Sequence, residues 1–295
     1  MEFLQPACWA DALADRAAHP DALAVAGGTD VMVEMNFDAR RPPALLDLTR
    51  VPELAEWDLD DGRVRLGAGV SYTRIIDELG GRLPGLAMAA RTVGSPQIRN
   101  RGTVGGNLGT ASPAGDAHPP LLAARAGIEV ASVRGTRVIP ADEFFTGVKR
   151  NALAPDELIA AVHVPLPIGP EQFSKIGTRN AMVIAVAAVS VALHPERREA
   201  GAGIGSAAPT PRRAAAAEEF LAAALSDAGL WESRRELPDA IAAEFAAQVR
   251  AAGAPIDDVR GTAAYRLHAL AVMARRALSW AWSDYRRGSV AAQGG

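Results

Sequence analysis

QIRNRGTVGGNLGTASPAGD, residues 97–116, concentrates glycines, small hydroxyl residues and a closing carboxylate in one short segment. Gly102, Gly105, Gly106, Gly109 and Gly115 let the main chain bend and come close to a ligand. Thr103, Thr110 and Ser112 add hydroxyls, and Asp116 adds an anionic acceptor. The composition suits a grip on a phosphorylated, sugar-bearing cofactor and is too elaborate for an ordinary turn. A second glycine turn lies upstream, Ala26-Gly27-Gly28-Thr29-Asp30, directly after the apolar run LAV. Consecutive glycines allow several N–H groups to face one anion. Two such loops can hold both phosphates of a dinucleotide from opposite sides.

Neither loop has the nicotinamide fingerprint, a G-x-G-x-x-G between strand and helix with an acid about 20 residues on. The second loop reads G-x-x-G-G-N-x-G, and no phosphate-binding-loop lysine follows either turn. A different dinucleotide is therefore expected.

The bulk numbers bound the rest. The 295 residues are 49% hydrophobic and 22% charged, a globular balance with room for two or three modest domains. A net charge of −3 without dense basic runs argues against a nucleic-acid partner. The one cysteine, Cys8, can make no internal disulfide and cannot supply an iron–sulfur cluster. The start, MEFLQPACWADAL, lacks a basic region and a long apolar run, so no secretory signal is expected. The longest apolar stretch, residues 181–193, is too short to span a bilayer and reads as a buried strand or core helix. No membrane insertion and a cytoplasmic location are expected.

Periodicity gives a coarse map. A helix is expected over 8–18, then strand–loop–helix or strand–loop–strand over 23–35, and a strand over 44–51. Residues 63–70 read as a strand and 71–79 as a helix capped by Ser71. A helix then runs up to Gly94, and a short one begins at His118. Strands are expected over 128–133, 136–145 and 157–167. Beyond them come two strands in 172–193, a strand and turn in AGAGIGSAAPTPRR, and three alanine-rich helices beginning near 214, 238 and 261. The tail SVAAQGG is expected to fray. The boundaries this gives are 1–54, 55–168 and 169–290.

The order AGGTD, QIRNRGTVGGN, ASPAGD resembles the flavoprotein (medium) subunit of the xanthine dehydrogenase and carbon monoxide dehydrogenase family of molybdenum hydroxylases. The resemblance covers nearly the whole chain. It implies an α+β fold: a two-subdomain PCMH-type FAD-binding domain followed by a carbon monoxide dehydrogenase flavoprotein-type C-terminal α+β domain. It also implies FAD as the cofactor. By the same resemblance, the backbone of Ala24, Val25, Ala26, Gly27, Gly28, Thr29, Asp30 and Val31 wraps the FAD diphosphate. Thr103, Val104, Gly105, Gly106 and Asn107 contact the phosphates and the flavin end. Asp116 binds the adenosine part, Ile159 lies near the isoalloxazine ring, and Lys175 is a basic residue close to the flavin. The family's partners are a molybdopterin-containing large subunit and a [2Fe–2S] small subunit, with NAD+ or another acceptor taking the electrons. This implies a heterotrimer, or a dimer of heterotrimers. A purine such as xanthine is the substrate guessed for it, and the substrate would bind on another chain.

Lys175 also stands out on its own. Of 31 basic residues only Lys149 and Lys175 are lysines, so a lysine goes against the habit of the chain. A compact ammonium beside a flavin stabilises negative charge on the reduced ring. Arg99 and Arg101 flank the second loop and are read either as phosphate or partner contacts or as solvated positions. His19, His118, His163, His194 and His268 show no metal-ligand spacing and are read as structural. Trp280 and Trp282 are read as core or interface packing. Two other functions stay open: a stand-alone PCMH-type flavin oxidase and a cofactor-free interaction protein.

Overall fold

The computed structural model describes residues 1–288, so the expected fraying of 289–295 and the last two positions of the 169–290 segment lie outside the described residues. Contacts group the chain into two compact units that interleave along the sequence. The first comprises Met1–Arg74, Ser95–Ser112 and Ala126–Pro165; the second comprises Ile75–Gly94, Pro113–Arg125 and the chain from Leu166 on.

The first unit holds a three-stranded parallel sheet in the order Glu2–Leu4, Ala44–Asp47, Leu23–Val25. Parallel neighbours need crossovers, and the helix Trp9–Ala18 supplies the first. The central strand buries Ala44, Leu45 and Leu46. After Val25 the chain leaves the carboxyl end of its strand through the first glycine turn and enters the helix Val31–Asn36. Strand–loop–helix is thus the realised pattern. The unit's other sheet is antiparallel, in the order Trp57–Asp60, Arg63–Gly67, Leu158–Pro165, Gly127–Ser132, Gly135–Pro140. Its central strand, LIAAVHVP, is apolar because it is covered on both edges and largely buried. The strand expected over 136–145 ends at Pro140. Residues Ala141–Phe144 form a helical turn with Asp142 and Glu143 in its first turn, where acids suit the helix dipole.

The glycine-rich stretch is not one loop. Pro96–Arg101 and Val104–Thr110 are two short helices, each started by a hydroxyl side chain. Ser95 Oγ accepts from Ile98 N at 3.4 Å and Thr103 Oγ1 from Gly106 N at 3.0 Å.

The second unit carries an antiparallel sheet in the order Glu171–Ile176, Ala187–His194, Glu199–Gly205, Arg212–Arg213. The apolar run 181–193 resolves into the strand Ala187–His194, buried along its whole length. Side chains alternate across a strand, and Glu199–Gly205 uses this asymmetrically. Ala200, Ala202 and Ile204 join a core with Leu221 and Leu225 of helix Ala215–Asp227, Phe245 of Asp239–Ala251 and Leu278 of Ala263–Arg287. The other face is bare. A Cβ on Gly201 would lie 2.0 Å from Ala123 O, and one on Gly203 2.1 Å from Pro119 O. Helix His118–Ala123 therefore rests directly on the strand's backbone.

The long C-terminal helix is pinned at both ends. Arg266 is buried and donates to Val186 O and Ser206 O, each at 2.7 Å, and to Asp258 Oδ1 at 2.6 Å. Trp282 and Tyr285 stack edge-on with Trp231, at centroid distances of 5.9 and 5.8 Å. Trp282 is core, whereas Trp280 is 49% exposed. No described helix is long and apolar enough to cross a membrane.

Candidate functional site

The first glycine turn sits where ligands gather in parallel sheets, outside the carboxyl ends of the strands. Gly28 has φ 76°, a left-handed conformation that glycine alone adopts without strain. Among the described residues, the N–H groups of Gly27, Gly28, Thr29 and Asp30 donate to no protein acceptor. The turn and its flanks, Ala24–Val31, stay partly or fully exposed. A row of unsatisfied donors around a left-handed glycine has the chemistry that suits an anion.

The two glycine segments meet within the first unit. A Cβ on Gly27 would stand 1.8 Å from Arg101 O, so the first turn lies flat on the second segment's backbone. The Gly106 position looks onto Ala26 Cβ at 3.8 Å. Thr110 Oγ1 lies 3.0 Å from both Asp30 Oδ2 and Gly106 O.

The second segment spends its own donors internally. Val104 N donates to Val70 O at 3.3 Å, Gly105 N to Ala68 O at 2.9 Å and Asn107 N to Thr103 O at 3.1 Å. Gly105 is glycine because a Cβ there would press on Ala68 at 2.5 Å. The amides left without a protein acceptor thus lie on the first turn, and the second segment is its platform. Ile159 is buried at an irregularity of its strand, with Cδ1 4.0 Å from a Cβ built on Gly109. Ser112 ends the segment, half-buried. Arg99 is half-buried and Arg101 exposed.

Gly115, Asp116 and Lys175 belong to the second unit. Lys175 Nζ donates to Asp116 Oδ2 at 2.6 Å and to Thr92 O at 3.1 Å, with both side chains of the pair under a tenth exposed. Thr92 Oγ1 sits 3.3 Å from the same carboxylate oxygen, and Asp116 Oδ1 is buried without a partner. Burial pushes the Asp116 carboxyl above its ordinary range, and the Lys175 ammonium opposes this. Gly115 is needed because a Cβ there would lie 2.2 Å from the His118 ring.

Four residues before Lys175, on the same face of the strand, Glu171 Oε2 accepts from Gly85 N at 2.9 Å. The acid therefore caps the first turn of helix Pro84–Thr92 by accepting from Gly85 N, and the lysine binds its last carbonyl, where a cation complements the helix dipole. The spacing fits: four strand residues span about 13 Å, and Gly85 to Thr92 climbs about 10 Å of helix. The sequence reading missed Glu171 and Thr92. A strand carrying Glu and Lys four apart was the available signal.

Burial pushes Glu171 up to about 7 and, in the same unit, pushes buried His194 down to about 4, with Arg197 adding to the latter. A raised acid lends stability that is complete below its unfolded value and is lost as pH rises through the folded one. A depressed histidine lends stability that is complete above its unfolded value and is lost as pH falls. The two slopes oppose each other between about pH 4.5 and 6.5. Glu171→Gln is expected to expose the histidine's slope, so that stability rises with pH across that window by about 2 kcal/mol. Urea midpoints at several pH values measure this, and parallel profiles for the two proteins would refute it.

The geometry has counterparts. The family model described as the FAD binding domain in molybdopterin dehydrogenase matches residues 1–167. The CO dehydrogenase flavoprotein C-terminal domain matches residues 172–281. The chain belongs to the flavoprotein subunits of the molybdenum hydroxylases. It is 31% identical over 303 residues to the xanthine dehydrogenase FAD-binding subunit of Escherichia coli O157:H7, across 99% of this chain and 97% of that one. It is 35% identical over 148 residues to the carbon monoxide dehydrogenase medium chain of Hydrogenophaga pseudoflava, across 49% and 51%. Among solved structures, a chain of the reconstituted CO dehydrogenase from Oligotropha carboxidovorans superposes with a TM-score of 0.86 at 27% identity, covering 96% of this chain and 98% of that one.

This flavoprotein subunit is an α+β oxidoreductase component, and its cofactor is FAD. The residues present fit that cofactor, because four unpaired N–H groups around Gly28 match the acceptor-rich, doubly charged diphosphate. Among the described residues no group of three or more His, Cys, Asp or Glu is arranged to hold a metal ion.

Proposed function

We propose that this subunit is an electron relay, standing between a [2Fe–2S] small subunit that delivers electrons and NAD+ or another acceptor that takes them. A molybdopterin-containing large subunit hydroxylates the substrate elsewhere in a cytoplasmic heterotrimer. Bound FAD supplies the step between one-electron and two-electron chemistry. The chain's own work is to hold, orient and tune it. The names of the relatives, an FAD-binding subunit and a medium chain, support a component of an assembly. The single cysteine supports a division of labour in which the clusters reside on another chain.

The N–H row of Gly27–Asp30 carries this reading. Ala24–Val31 would wrap the diphosphate, with Thr103–Asn107 and the residues through Ser112 beneath it. Gly115 and Asp116 would form the adenosine end, and Ile159 would lie near the ring. Lys175 would tune the flavin through its pair with Asp116, which leaves the pair close to neutral rather than presenting a bare cation. Along the chain, 1–54 and 55–168 are proposed as the two FAD-binding subdomains and 169–290 as the C-terminal domain.

The test is flavin content. The full chain should purify yellow and release FAD on denaturation, and Gly28→Val should be colourless because a β-branched residue cannot hold φ 76°. A wild-type chain that neither carries nor takes up FAD would overturn the reading and favour the interaction protein. Turnover of an organic donor with oxygen by the isolated chain would favour the oxidase.

A further inference from the structure

Lys149, one of the two lysines, sits at the tip of a small hairpin formed by Phe145–Gly147 and Arg150–Asn151. Its φ of 52° is a conformation that favours glycine or asparagine. Its Nζ lies 2.7 Å from Glu34 Oε1 on the helix that follows the first glycine turn. From the hairpin's other strand, Asn151 Nδ2 donates to Gly109 O at 3.0 Å. The next residue, Thr110, reaches back to Asp30 Oδ2 at 3.0 Å. Asp30 and Glu34 are one helical turn apart and share a face. Helix Val31–Asn36, hairpin 145–151 and helix Val104–Thr110 are therefore tied pairwise into a closed ring.

The first turn needs such ties. Its helix is six residues long and buries no residue, and Met32, Val33 and Phe37 are exposed. A helix that short does not sustain itself, and burial does not fix it in place. Arg40 also approaches Glu34, at 3.7 Å, but it belongs to the same segment and anchors nothing to another element.

We propose that the hairpin is a strut for the diphosphate cradle. Lys149, Glu34 and Asn151 are positioning residues, and Asp30 and Thr110 form the joint that closes the ring instead of touching the ligand. A carboxylate turned toward a diphosphate would repel it, whereas one held on a hydroxyl is directed away. The inference rests on the reading of Gly27–Asp30 as the FAD cradle.

The experiment is FAD release from the loaded full chain, followed by the recovery of flavin fluorescence on dilution. Lys149→Met and Glu34→Gln should each speed release about twofold to fivefold, and their combination should do no more than either alone. The swap Lys149→Glu with Glu34→Lys should restore the wild-type rate, which a merely structural role would not require. The single-variant effects should fade at high salt, because the pair is exposed. Asp30→Ala and Thr110→Val should match each other, while Asp30→Asn keeps its bond to Thr110 and retains FAD. Unchanged rates, additive effects or a swap without rescue would overturn the strut. Loss of FAD in Asp30→Asn with none in Thr110→Val would make Asp30 a ligand contact and overturn the joint. If the wild-type chain takes up no FAD, the cradle reading has failed. The ring is then read from tryptic cleavage after exposed Arg40, since Arg41 precedes Pro42 and resists the protease; Lys149→Met should accelerate this cleavage if the strut exists and leave it unchanged if it does not.

Discussion

Gly27→Ala should give a full-length protein that purifies without its flavin. The added methyl would stand 1.8 Å from Arg101 O and 3.0 Å from Gly102 Cα. Both obstacles are backbone, so no rotamer change relieves the overlap. The first turn must lift off its platform, and the N–H groups of Gly27–Asp30 then lose their common aim. A misplacement of that kind is worth about 3 kcal/mol or more, a loss of at least a hundredfold in affinity. The ratio of flavin to protein absorbance measures it, with titration of added FAD giving the residual affinity. Gly106→Ala is the control: its Cβ would meet Thr103 Oγ1 at 3.1 Å, a contact that a small shift absorbs, and Ala26 Cβ at an ordinary 3.8 Å. A yellow Gly27→Ala protein would show that the turn can move away from Arg101 without consequence. A colourless Gly106→Ala protein would place the sensitive backbone in the second segment instead.

Lys175→Met should destabilise the protein by about 3–5 kcal/mol, because it strands a buried carboxylate. Asp116 would keep only the 3.3 Å approach of Thr92 Oγ1, and its Oδ1 has no partner to begin with. The double variant Lys175→Met, Asp116→Asn should recover most of the loss, since a neutral pair costs far less to bury. The sign of the pH effect follows from burial, which raises Asp116 and is opposed mainly by Lys175. Without the lysine the carboxyl rises further, so the single variant should regain stability as pH falls and Asp116 takes up a proton. Urea unfolding of the four proteins in the cycle gives the coupling. A cost below about 1 kcal/mol for Lys175→Met, or no recovery in the double variant, would mean that the site is wet and the pair exposed.

How far the sequence reveals these features depends on whether their cause is local. The strand Ala187–His194 is legible because β-branched residues crowd a short apolar run, and the capped helix Tyr72–Leu79 because Ser71 Oγ accepts from Arg74 N, at 3.3 Å, just ahead of a periodic pattern. The two glycine segments are legible as a pair, since their composition has few other uses. The helices inside the second segment are hidden by the same glycines, each of which disfavours a helix by about 1 kcal/mol. Only Ser95-Pro96 and Thr103 mark their starts. What is not local is not legible. Gly201 and Gly203 alternate visibly, but the helix that requires them lies some eighty residues upstream. Lys175 is conspicuous by rarity, yet nothing near it in the chain names Asp116 or Thr92 as partners. Glu171, Lys149 and Asn151 acquire meaning only when distant segments meet.

The scarcity of lysine has a practical consequence. Lys149 is 56% exposed at its side chain and Lys175 only 7%. Apart from the terminal amine, an acylating reagent at limiting dose therefore finds a single amine on the folded chain. A fluorophore or crosslinker placed there would report on this corner of the molecule without a cysteine being engineered, and the appearance of a second labelled lysine would signal that the interior had opened.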